Sequence, residues 1–120
     1  MQNLPDFRTQ FSSKDIVDAF KRQLIKDFEK SNFSTDFVDA LESDYRSIHQ
    51  KIAHELQLHE SKSDFNLMHL LYRTDISETQ LKKYLNTKKD CSYYDVIAEL
   101  IIKRVLQKVV VKQYYKNKEM

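Results

Sequence analysis

Glycine is absent from this 120-residue chain, whereas ordinary usage of about 7% would place several in it. The absence removes whole classes of chemistry. Phosphate-binding loops and dinucleotide fingerprints bring backbone amides against phosphate only where a residue lacks a side chain. The serine elbow of the hydrolases and the usual calcium loop also place glycine at a fixed position. Two-residue hairpin turns favour glycine for its positive φ, so tight β-hairpins are disfavoured too. Proline occurs once, at Pro5, outside any helical pattern. With neither breaker interrupting the chain, the sequence favours helices.

Cysteine is equally scarce. Cys91 stands alone, so no internal disulfide can form, which fits the reducing cytoplasm, the compartment expected here. Long apolar runs are lacking: Leu70-Leu71-Tyr72 and Val109-Val110-Val111 fall far short of the roughly 20 residues of a membrane span, so no membrane partner is expected. The opening MQNLPDFRTQF has no basic start followed by an apolar stretch, so no secretory signal is expected. What is present is globular in kind, with 41% hydrophobic and 32% charged residues. The length predicts one helical domain over 1–120, with residues 1–11 as an N-terminal arm.

Helix starts share one local grammar. Ile76-Ser77-Glu78-Thr79-Gln80-Leu81 combines a Ser…Gln capping box with an Ile…Leu hydrophobic staple. Cys91-Ser92-Tyr93-Tyr94-Asp95-Val96 repeats it with Asp in place of Glu, and Phe11-Ser12 before Ile16 does the same. Phe33-Ser34 before Val38 offers cap and staple without the box. In the absence of glycine, Asn32 and Asn86 are the expected left-handed helix ends. Apolar spacing then outlines five helices. Ile16, Val17, Phe20, Leu24 and Phe28 mark the first, over about 13–30. Val38, Leu41, Tyr45, Ile48, Ile52 and Leu56 mark a long second one over about 35–59. Phe65, Met68, Leu71 and Tyr72 mark a short third over about 64–73, and Leu81, Tyr84 and Leu85 a fourth over about 78–86. The last, over about 93–115, is apolar over a wide arc through Ile97, Ala98, Ile101, Ile102, Val105 and Val109, as a central helix would be. Its end, Lys108 to Tyr115, has strand-like composition, but no second strand is evident to pair with it. The fold class expected is therefore all-α, a bundle of about five helices around a largely buried C-terminal one.

No catalytic, metal or cofactor site emerges. In His54-Glu55-Leu56-Gln57-Leu58-His59 the histidines are five apart, not the four of a zinc helix, and so diverge by roughly 140°. No glutamate has a histidine three residues later, as a di-iron bundle requires. Cys91, near Lys88 and Lys89 before a helix start, lacks a neighbouring base in sequence. Asp36, Asp39, Glu42 and Asp44 read as acids favoured by a helix N-terminus rather than a proton-transfer pair. The chain is not expected to be an enzyme.

Charge is divided along the chain. Residues 1–60 hold 8 lysines and arginines against 11 acids, a net of −3, while residues 61–120 hold 12 against 7, a net of +5. Within the basic half, residues 64–86 resemble a helix-turn-helix, with two short helices about the turn Thr74-Asp75-Ile76-Ser77. That resemblance would turn Thr79, Lys82, Lys83 and Asn86 toward a nucleic-acid groove. It departs from the motif where Asp75 replaces the usual turn glycine and where large Leu71 replaces a small alanine at the helix crossing. The reading preferred here is a non-catalytic, cytoplasmic binding or scaffolding module that meets a protein partner or another copy of itself. The seven tyrosines and the heptad-like second helix motivate it. Helix-turn-helix nucleic-acid binding is the alternative.

Overall fold

The computed structural model describes residues 14–31, 33–42, 44–60, 64–88 and 90–118. Five helices follow one another: α1 (Lys14–Glu29), α2 (Tyr45–Glu60), α3 (Asp64–Arg73), α4 (Glu78–Thr87) and α5 (Tyr93–Lys118). No strand occurs among the described residues, and the stretch 108–115 is helical. None of the described helices is long and apolar enough to cross a membrane.

The architecture is an all-α bundle organised by α5. At a rise of 1.5 Å per residue its 26 residues reach about 39 Å, nearly the 45 Å long axis of the molecule. Val96, Ile97, Ala98, Leu100, Ile101 and Ile102 are all buried, so the first turns of α5 are enclosed on almost every side. Val105, Leu106 and Val109 continue the buried surface on a narrower face. Helices α2, α1 and α4 pack on α5, whereas α3 rests mainly on α2 and α1. From α1 come Val17, Phe20, Leu24 and Phe28, at the spacing the sequence predicts. From α2 come Ile48, Ile52 and Leu56.

The second helix begins at Tyr45, not at residue 35. Asp44 is its cap: the carboxylate accepts from the Ser47 amide at 3.0 Å, and the carbonyl accepts from the Ile48 amide at 3.0 Å. Ser34 closes a local turn instead, its hydroxyl accepting from the Asp36 amide at 3.3 Å. The amides of Val38, Ala40 and Leu41 then bond three residues back, giving successive tight turns in place of an α-helix. Val38 and Leu41 are buried all the same, because a three-residue repeat also gathers apolar residues on one side. Phe28 meets the rings of Phe33 and Phe37 at 5.5 and 5.7 Å, closing the core over this segment.

Two further expectations are corrected. Among the described side chains of α3 the buried ones are Leu67, Leu70 and Leu71, while Met68 and Tyr72 face outward, 46% and 78% exposed. Asn86 is not a left-handed cap: α4 continues through Thr87, and Lys88 ends it with φ −117° and its amide on the Tyr84 carbonyl. Asn32, the Ser12 cap and the side chain of Phe65 lie outside the described residues.

Candidate functional site

The corner between α3 and α4 is built by a paired set of backbone bonds. The Ile76 amide returns to the Leu71 carbonyl at 2.9 Å and the Asp75 amide to the Tyr72 carbonyl at 3.1 Å, the two bonds of a Schellman helix end. That geometry places Asp75 at φ 61°, the single positive φ among the described residues. Aspartate tolerates this region better than most side chains, so a turn without glycine still closes. Thr74, fully buried, donates its hydroxyl to the Leu70 carbonyl at 2.9 Å. Ile76 and Leu81 are buried on either side of the Ser77 cap, which accepts from the Gln80 amide at 3.1 Å. Cap and staple therefore form as the sequence indicates.

The corner is tied to α5 by charge. The Asp75 carboxylate lies 3.7 Å from Arg104 and 4.0 Å from Lys108. Lys108 Nζ also donates to the Arg73 carbonyl at 3.2 Å, where a cation favours the negative end of α3. It lies 3.4 Å from the carboxylate of Asp27 on α1, which is 4% exposed. Gln23 donates to the other Asp27 oxygen at 3.2 Å. One lysine thus joins α1, the end of α3 and the turn to α5. The sequence carried a signal for this: Asp27 falls beside Phe28 on the apolar stripe of α1, where an unpaired carboxylate would be costly.

Thr79, Lys82, Lys83 and Asn86 recur at i, i+3, i+4 and i+7 and are all exposed, forming the outer stripe of α4. The basic residues beside them are engaged within the molecule. Lys88 and Lys103 meet Glu99 at 3.3 and 3.5 Å, and Lys103 also donates to the Tyr84 hydroxyl and lies 4.8 Å from the centre of its ring. Burial works to lower the Lys103 pKa, but the Tyr84 hydroxyl and the Glu99 carboxylate outweigh it and leave it raised. Nearby, burial pushes the Tyr45 phenol up to about 12, with Glu99 adding to the effect.

Helices α3 and α4 find their main packing partners elsewhere, α3 on α2 and α1 and α4 on α5, rather than in each other. Buried Leu71 occupies the inner side of α3 at this corner, where a close helix crossing calls for a small residue. Helix α3 packs on α2 and α1 and meets α5 at its C-terminal end, and its outward side is left open. Met68 and Tyr72 stand there one turn apart, with exposed His69 between them. Their four-residue step would equally suit the inner face, but the packing of α3 on α2 turns Leu67, Leu70 and Leu71 inward instead.

The remaining chemistry-bearing residues do not converge. Cys91 is exposed. Ser92, its neighbour, caps α5 by accepting from the Asp95 amide at 3.1 Å. His49 bonds the Asp95 carbonyl at 2.8 Å and stacks on Tyr45, which holds α2 against the start of α5. His54 is exposed, and the side chain of His59 lies outside the described residues. Asp36, Asp39 and Glu42 are exposed, and Asp44 serves as a cap. No group of three or more potential metal ligands gathers among the described residues. Comparison with protein-family models, curated proteins and solved structures finds no match.

Proposed function

We propose that this chain is a non-catalytic binding or scaffolding module of the cytoplasm, and that it meets its protein partner, or a second copy of itself, through the outward side of α3. The observation that carries this reading is the exposure of Met68 and Tyr72 one turn apart on the helix least attached to α5. A tyrosine 78% exposed offers a large, stiff contact surface at small entropic cost, and methionine adapts to the shape it meets. A helix presenting side chains at i and i+4 is a common way for one protein to enter a groove of another.

The alternative is nucleic-acid binding by residues 64–86. It is supported by the left-handed turn at Asp75 and by the exposed stripe Thr79, Lys82, Lys83 and Asn86. Two things weigh against it: α3 and α4 do not rely on each other for packing, and most of the surrounding cations have intramolecular partners. Photo-crosslinking in cells separates the two readings. A photoreactive phenylalanine at position 72 should yield discrete protein adducts, while the same group at position 83 yields none. Nucleic-acid adducts from position 83, with nothing from position 72, would reverse the assignment.

A further inference from the structure

A groove of about 280 Å³ runs between α1 and α5, on the molecule's surface beyond the buried Asp27. Its apolar lining is Ala19 from α1 and the buried Val109 from α5, beside Gln23 and Gln113. Cations line both sides: Arg22 and Lys26, one turn apart on α1, and Lys112 opposite them on α5. No aspartate or glutamate is among the described residues that line it.

The arrangement is held by a chain of side-chain bonds that begins in the interior. Lys108 neutralises Asp27 from the far side, at 3.4 Å. Asp27 receives Gln23 Nε2 at 3.2 Å, which fixes the orientation of that amide. The Gln23 oxygen then accepts from Lys112 Nζ at 3.2 Å, across the groove from one helix to the other. Lys112 is therefore positioned rather than free, and the acid that anchors the chain is already compensated. The nearby acid Asp18, outside the groove lining, pairs with Lys14 at 3.0 Å and is also drawn to Arg22 and Lys21 at longer range. Arg22, Lys26 and Lys112 still outnumber it, and no acid among the described lining residues offsets them.

The geometry points to a binding site for a phosphate-type dianion in this groove, with Arg22, Lys26 and Lys112 contacting its oxygens and Val109 and Ala19 supporting any organic body attached to it. A dianion with three equivalent oxygens can engage cations converging from two sides, and the arginine fork suits two of those oxygens at once. The same chemistry is offered by free inorganic phosphate and by a small phosphomonoester.

Nuclear magnetic resonance titration of the full chain at constant ionic strength tests this, with inorganic phosphate and phenyl phosphate as probes. Saturable shifts are expected at Ala19, Arg22, Lys26, Val109 and Lys112. Arg22→Gln and Lys112→Gln should each weaken binding about tenfold or more, while the Lys82→Gln/Lys83→Gln double variant binds as the parent does. Tighter binding of phenyl phosphate assigns the groove to an organic ester, and equal binding assigns it to the free oxyanion. The three sites are exposed, so the variants should keep the parent's helical circular dichroism. Shifts that fail to saturate, spread evenly over the surface lysines, or survive both single variants would overturn the assignment.

Discussion

Lys108 Nζ on α5 lies 3.4 Å from the carboxylate of Asp27 on α1, a residue 81 positions earlier in the chain. The same ammonium reaches the end of α3 and the Asp75 turn. Removing it leaves the Asp27 carboxylate inside the protein with Gln23 as its remaining side-chain partner among the described residues. Lys108→Ala is therefore expected to lower stability by about 3 kcal/mol, measured by urea unfolding, because an orphaned buried charge keeps its desolvation cost. The double variant Asp27→Leu/Lys108→Met should recover most of that loss.

Asp75 holds the α3–α4 turn at φ 61°. A β-carbon in this region costs about 1–2 kcal/mol for most residues, less for aspartate. Asp75→Ala should destabilise by about 1 kcal/mol. Asp75→Gly should match the parent or exceed it, since the ion pairs of a carboxylate this exposed contribute little. Thermal melts of the three proteins check the order.

Cap substitutions locate the helix starts. Ser77→Ala, Ser92→Ala and Asp44→Ala should each cost about 1 kcal/mol in urea unfolding. Ser34→Ala should cost clearly less, because its hydroxyl closes an exposed turn and starts no helix. Equal losses at Ser34 and Asp44 would restore the longer second helix.

Tyr45 makes stability depend on alkaline pH. Its phenol ionises near 10 when unfolded and about 12 when folded, chiefly through burial. The folded state therefore holds its proton where the unfolded state has lost it, and stability falls as pH rises from 10 through 12. Below 10 the effect is absent. Tyr45→Phe should flatten this part of the stability profile, and the ultraviolet absorbance of tyrosinate in the variant should lose a late-titrating component that the parent shows.

The helical class, the stripe of α1, the enclosed start of α5 and the Ser77 and Ser92 caps were legible in the sequence because each rests on spacing within a few residues. What escaped it depended on choices between near-equal local signals or on distant partners. Ser34 and Asp44 both suit a cap, and the apolar residues at 38 and 41 continue the phase of α2, so nothing local separates a helix from tight turns there. Met68 and Tyr72 fit a four-residue step as well as Leu67 and Leu71 do, and the packing of α3 on α2 decides between them. The α4 stripe was readable as exposed, but the pairing of its basic surroundings with Glu99, Asp75 and Asp27 belongs to the tertiary fold.

The assignment of contact to α3, with the corner at Asp75 a structural joint, is tested most directly by titrating the chain with duplex DNA at about 150 mM salt, where exposed charges are screened beyond about 8 Å. The expected result is no saturable binding, and no difference between the parent and the Lys82→Gln/Lys83→Gln double variant, whose stability should stay within about 0.5 kcal/mol of the parent. Sub-micromolar binding that the double variant loses, and that weakens steeply as salt rises, would contradict it and make α4 a recognition helix.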